Sequence, residues 1–146
     1  MVRFKKIELS GGAEQVADLS RVGSLLVTSD KLFYLDIDDD YIHRLFPLFH
    51  SLYPGVVKAQ KSIGAHISVV YPEENCLLPE DELEKHHAFE IRGAFSADLG
   101  AKRYYGLAVH APDLIALRKK NQLSEKLHFK GQFIELHITV GTEILF

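Results

Sequence analysis

Two short stretches carry residues fit for chemistry. "AHISVV" holds His66 and Ser68, and "LHITVG" holds His137 and Thr139. In each, an imidazole and a hydroxyl stand two residues apart between apolar neighbours. Histidine, with an ordinary pKa of about 6.5, gives or takes a proton close to neutral pH. A hydroxyl donates a hydrogen bond to a charged oxygen. Two such pairs brought together supply a base for an attacking oxygen, an acid for a leaving one, and two donors for the charge that develops between them. That is equipment for breaking a phosphodiester, and it calls for no metal.

Strand periodicity explains why each pair projects together. Side chains alternate along a strand, so His66 and Ser68 share one face while Ala65, Ile67 and Val69 share the other. His137 and Thr139 stand against Leu136, Ile138 and Val140 in the same way. Two steps of strand rise separate each imidazole from its hydroxyl by about 7 Å. A polar strand face ordinarily turns to water. With 8 histidines and 12 serines and threonines in 146 residues, chance supplies roughly two-thirds of one such match. Two matches, both walled by apolar residues, point past coincidence.

The surrounding elements repeat. "KLFYLDI" alternates as a strand, and "DDDYIHRLFPLFHSLY" is a helix with Asp38–Asp40 at its start. Its apolar stripe runs Ile42, Leu45, Phe46, Phe49, Leu52, Tyr53, and Pro47 predicts a kink or two short helices. "SIGAHISVVY" follows as a strand. In the second half "RYYGLAVH" is a strand, "APDLIALRKKNQLSEKL" a helix begun by Pro112, and "QFIELHITV" the closing strand. Tyr34 to His66 and Tyr105 to His137 are both 32 positions. Strand, helix and histidine strand thus occur twice, which suggests an internal duplication. Between the halves, "AFEIRGAF" reads as a strand with Phe89, Ile91 and Phe95 on one face. Residues 1–30 form a preamble with strands at Lys5–Leu9 and Ser24–Thr28 and a helix at Ala13–Val22 ended by Gly23.

Composition bounds the partner. A length of 146 residues predicts one domain, 1–146, with first-lobe residues 31–75 and second-lobe residues 88–146. A net charge of −3 argues against a long basic face that tracks nucleic acid. One cysteine, Cys76, permits no intrachain disulfide. No stretch approaches the roughly 20 apolar residues of a membrane span, and the first residues lack a signal-like run. These features predict a cytoplasmic protein without membrane contact.

The paired "HISV" and "HITV" resemble the signature of the two-histidine (2H) phosphoesterase superfamily, which includes cyclic phosphodiesterases and the enzymes called RNA 2′-5′ ligases. The resemblance spans about residues 31–142. It implies an α+β, bilobal, pseudo-twofold fold, with two antiparallel sheets lining a central cleft and helices outside. It implies His66 and His137 as the acid–base pair, with Ser68 and Thr139 holding the phosphate. Ser68 replaces the commoner threonine but keeps the hydroxyl. The implied activity is metal-independent cleavage of a cyclic phosphodiester, 2′,3′-type or related, on a small nucleotide or RNA end, without a cofactor. Two other readings compete: a metal-dependent hydrolase using His66, His137 and Glu135, and a nucleotide-binding module without turnover.

Tyr71, Tyr104, Tyr34 and Arg92 are candidate substrate contacts. Tyr104 shares a strand face with Gly106, Ala108 and His110, where the small residues would leave room for a ligand and the ring could stack on a base. The repeat places Tyr34 similarly. Tyr71 follows the first motif and reaches the site only if its strand ends before it. Arg92 lies opposite Phe89 and Ile91 by parity, where it pairs with a phosphate if it reaches the cleft and otherwise forms a surface salt bridge. Lys102 and Arg103 read as loop residues before a strand, and Lys85–His87 as surface. "DIDDD" lacks the glycine and terminal glutamate of a calcium loop, so helix capping explains it better.

Overall fold

The computed structural model describes residues 2–146. In chain order the elements are β1 (Lys5–Ile7), α1 (Gly12–Gln15), β2 (Val22–Val27), β3 (Phe33–Asp36), α2 (Asp40–Leu52), β4 (Val57–Lys58) and β5 (His66–Val70). Two short 3₁₀ turns follow, Pro72–Glu74 and Glu80–Glu82. Then come β6 (His86–Ala88), β7 (Glu90–Leu99), β8 (Lys102–His110), α3 (Pro112–Lys120), β9 (Leu127–Phe129), β10 (Gln132–Ile134) and β11 (His137–Ile144). Among the described residues no helix is long and apolar enough to cross a membrane.

The architecture is α+β with antiparallel pairing. The strands expected in two sheets hydrogen-bond into one nine-stranded sheet, ordered β1-β7-β8-β11-β5-β3-β2-β6, with β4 also on β11. The join is the β5–β11 pair, where Ile138 faces Ile67. The strands β9 and β10 form a separate two-stranded sheet. Outward from the centre, β5-β3-β2 on one side matches β11-β8-β7 on the other.

One face of the sheet is sealed by α2. Tyr41, Ile42, Leu45 and Phe49 are its buried stripe. The Phe49 and Tyr53 rings pack on Tyr105 of β8, at 6.0 and 4.9 Å between centroids. Pro47 does not divide this helix, which runs 13 residues unbroken. Its ring sits on the exposed side.

Three departures from simple alternation matter for the site. On β7 the register against β8 shifts between Ile91 and Gly93, so Arg92 is a bulged residue. Phe95 consequently faces away from Ile91, not with it. On β11 the register shifts between Thr139 and Gly141, leaving Val140 as the extra residue. The expected closing strand is also two pieces: β10 ends at Ile134, and Glu135 and Leu136 lie before β11. Within residues 1–30, β1 pairs with β7 and β2 with β3. The helix there is only Gly12–Gln15, and Gly23 lies inside β2.

Candidate active site

The central pairing assembles the two motifs. With Ile138 opposite Ile67 in an antiparallel ladder, His137 stands across from Ser68 and Thr139 across from His66. Directly opposed side chains have Cβ atoms about 5 Å apart, and diagonal ones about 7–8 Å. The two imidazoles thus occupy one diagonal of a square and the two hydroxyls the other. All four side chains line one cleft of about 230 Å³, together with Tyr71 and Tyr104.

Both imidazoles are oriented by the same device. His66 Nδ1 lies 2.8 Å from the Gly64 carbonyl, and His137 Nδ1 lies 2.8 Å from the Glu135 carbonyl. A carbonyl only accepts, so Nδ1 carries the proton in each ring. That leaves Nε2 as the working nitrogen. The device depends on local backbone. Gly64 adopts φ +74°, a left-handed conformation in which a Cβ would also collide with the Asp39 carboxylate. Asp39 Oδ1 in turn accepts the Ala65 N–H at 2.9 Å. The acidic helix start therefore braces β5 as well as α2.

Packing fixes the rings further. Phe95 and Phe4 both meet His137 edge-on, at 5.6 and 5.9 Å, and stack on each other at 3.8 Å. Tyr34 meets His66 edge-on at 5.8 Å. Tyr34 is buried and does not line the cleft. Its role is support of His66, because β3 pairs Tyr34 with Ser68 and turns the ring against the neighbouring histidine. The second-half residue paired with Thr139 is Gly106, so the equal 32-residue spacings do not mark equivalent tyrosines. Gly106 makes no room for a ligand either. An added Cβ would strike the Ile138 carbonyl, so glycine there lets β8 and β11 approach.

Burial distinguishes the histidines. His137 is 6% exposed, and desolvation lowers its pKa from 6.5 to about 4, with smaller contributions from His66 and Lys61. His66 is half-buried, and its pKa is lowered, again chiefly by burial and then by Lys61. Both imidazoles are thus biased toward the neutral form in the ligand-free cleft.

Tyr71 reaches the site because β5 ends at Val70. The ring is buried and stacks on Phe129 at 4.3 Å. Burial raises the pKa of its hydroxyl to about 12. It therefore acts as a neutral hydrogen-bonding group. Behind it lies a support that the sequence did not announce. Arg118 of α3 is fully buried and pairs with Glu74 at 2.7 and 3.0 Å. It also donates to the carbonyls of Val69, Ser124 and Lys126 at 2.7 to 2.8 Å. Glu74 accepts the Tyr71 N–H at 3.0 Å. The turn that aims Tyr71 is locked through this pair.

Arg92 does not reach the cleft. As the bulged residue of an outer strand it is exposed, 3.8 Å from Glu90. Lys102 and Arg103 lie within β8, not before it. Lys102 lines the cleft, while Arg103 pairs with Asp98 at 2.6 Å. Lys58, Gln60, Lys61, Phe129 and Thr142 also line it, and none was singled out by motif. Glu135 is exposed and offers His137 only its carbonyl. Among the described residues no three His, Cys, Asp or Glu side chains gather as a metal would require. Lys85–His87 leads into the edge strand β6, where His87 Nε2 is buried without a hydrogen-bond partner among the described residues.

Comparison with known families settles the class. A family model described as the Swiss Army Knife, 2H phosphoesterase domain matches residues 33–144. The chain belongs to the 2H phosphoesterases. No curated protein and no solved structure matches it. The general activity of this 2H phosphoesterase is therefore phosphoester hydrolysis of the phosphodiesterase kind.

Proposed function

We propose that the protein cleaves a cyclic phosphodiester, 2′,3′-type or related, on a small nucleotide or RNA end, with no metal and with its two halves acting as pseudo-twofold lobes. The observation that carries the reading is the diagonal of two imidazoles with matched Nδ1 anchors, crossed by a diagonal of two hydroxyls. A phosphate seated on this square has an Nε2 on either side. His137 takes the proton of an attacking water as the new P–O bond forms. His66 gives its Nε2 proton to the oxygen leaving phosphorus, so protons balance over the step. Ser68 and Thr139 donate to the non-bridging oxygens.

The roles follow from environment. The deeply buried His137, with the lower pKa, stays neutral and suits the base. The half-buried His66 holds a proton more readily, above all beside a bound anion. Tyr104 and Phe129 supply ring faces for a base or sugar.

The test is turnover of 2′,3′-cyclic mononucleotides with chelator present, repeated for His66→Ala and His137→Ala. Each substitution removes one proton-transfer partner and lowers the rate by about 10² to 10⁴. Undiminished turnover in both variants would overturn the mechanism. Loss of wild-type turnover on chelation would favour metal chemistry instead.

A further inference from the structure

The cleft is longer than the four motif residues need, and its far part has a distinct chemistry. Seventeen residues line it, among them Lys58, Lys61 and Lys102, and not one is Asp or Glu. The whole chain carries a net charge of −3, so this is local design against the average. Among the described residues none of the three ammonium groups has an ion-pair partner, in contrast to Lys85, Arg44, Arg103 and Arg118, which do. Lys58 has only a loose contact, 6.0 Å, with the Phe46 ring.

The sheet register orders these groups along the cleft. Thr139 pairs with Gly106 and Thr142 with Tyr104. The Val140 bulge is what returns Thr142 to the cleft face after Thr139. Two strand steps on β8 separate these levels, about 7 Å, and two more lead to Lys102. Lys58 enters from β4 opposite Gly141, which faces Tyr105, so it stands one step before the Thr142 level. Lys61 lines the cleft beside the histidine square, its carbonyl accepting at 3.0 Å the N–H of Gly64, the residue that anchors His66. The order along the floor is therefore histidine square with Lys61, then Lys58, then Tyr104 beside Thr142, then Lys102. Lys130 closes the aromatic middle, its Nζ 3.3 Å from the Tyr104 hydroxyl and 5.3 Å from the Phe129 centroid.

We infer that the substrate carries a second phosphate, one nucleotide unit from the reacting one, held at the Tyr104 level by Thr142 with Lys58 and Lys102 on either side. This rests on the cyclic-phosphodiester reading and narrows it. Lys61 neutralises the reacting phosphate. The distal lysines and the Thr142 hydroxyl need a separate anion, because a single phosphate cannot span both levels. The step between levels matches a nucleoside bridging two phosphates, with its base or sugar against Tyr104. A 5′-phosphorylated nucleotide 2′,3′-cyclic phosphate, or the 3′ end of a very short oligonucleotide, has this form. Lysine suits such a site, as a mobile point charge for a phosphate.

The experiment compares binding of a nucleoside 3′,5′-bisphosphate with that of the same nucleoside 3′-monophosphate by calorimetry. Wild type and K58Q/K102Q are measured, with K119Q as an off-cleft control, since Lys119 pairs with Glu125 on the surface. The wild-type and K119Q proteins prefer the bisphosphate at least tenfold, and in K58Q/K102Q the ratio falls to near one. Equal wild-type affinities, or a ratio unchanged in K58Q/K102Q, would overturn the inference. Turnover of 2′,3′-cyclic nucleotides with and without a 5′-phosphate separates the two proposals. Turnover indifferent to the 5′-phosphate, with equal affinities, removes the distal site and keeps the chemistry. A strong bisphosphate preference without any turnover does the reverse.

Discussion

Replacing His137 by asparagine should flatten the acid side of the stability profile. The asparagine amide can still donate to the Glu135 carbonyl, as Nδ1 does now at 2.8 Å, but it cannot titrate. In the unfolded chain His137 has the ordinary pKa of about 6.5. In the fold, burial holds it at about 4. As pH falls through 6.5 the unfolded chain takes the proton first, and the folded chain takes it only near 4. Between those values the unfolded state binds more protons, so stability declines as pH falls. A gap of about 2.5 pH units at about 1.4 kcal/mol each makes this loss about 3 kcal/mol. His66, also lowered, acts in the same direction in both proteins. So do Asp18 and Asp98, whose arginine partners hold them below the usual carboxylate range. Their contributions cancel in a difference. Urea unfolding of wild type and His137→Asn at a series of pH values from 7.5 to 4 reads that difference directly. The wild type should lose about 3 kcal/mol more than the variant. Parallel curves would show that the His137 proton is not excluded by burial, and the assignment of His137 as the neutral base would fall with it.

The free-enzyme profile should follow the same asymmetry. With His137 as base and His66 as acid, kcat/KM rises as pH climbs through about 4 and falls as His66 loses its proton below the ordinary 6.5. The optimum is therefore acidic, and a maximum above pH 7 would contradict the roles assigned. Separately, Arg118→Met strands the buried Glu74 carboxylate and should lower stability by about 3–5 kcal/mol in urea unfolding. The added change Glu74→Leu should recover part of that loss. A double variant no more stable than the single would mean that the pair is not what the site's support depends on.

The groups proposed to react were legible in the sequence because their logic is local. A histidine and a hydroxyl two apart must share a strand face, and apolar walls on both sides say that the other face is core. The doubling of that pattern, with a helix before each copy, sufficed for the α+β class and for the 2H resemblance. Tyr71 could be read only conditionally, since its orientation depended on the strand ending at Val70.

What alternation could not carry past was any break in the ladder. The bulge at Arg92 reversed the face of Phe95 and turned the arginine to solvent. The break before His137 left Glu135 exposed between β10 and β11, outside the cleft lining. The bulge at Val140 brought Thr142 into the cleft. The two bulges are each a single extra residue, invisible in composition, and each shifts every side chain after it by one parity step. Longer-range features were further out of reach. Arg118 and Glu74 are 44 residues apart in the chain, and nothing near either one names the other. Lys102 reads on its own as a loop charge, and no motif marks Lys58 or Lys61. Only the meeting of β4, its following loop and β8 beside β11 makes them one surface without a carboxylate. By itself the sequence determined which side chains stand together on each histidine strand, because strand parity is a property of neighbours. The tertiary structure decided what surrounds the proposed site, because that depends on register between segments distant in the chain.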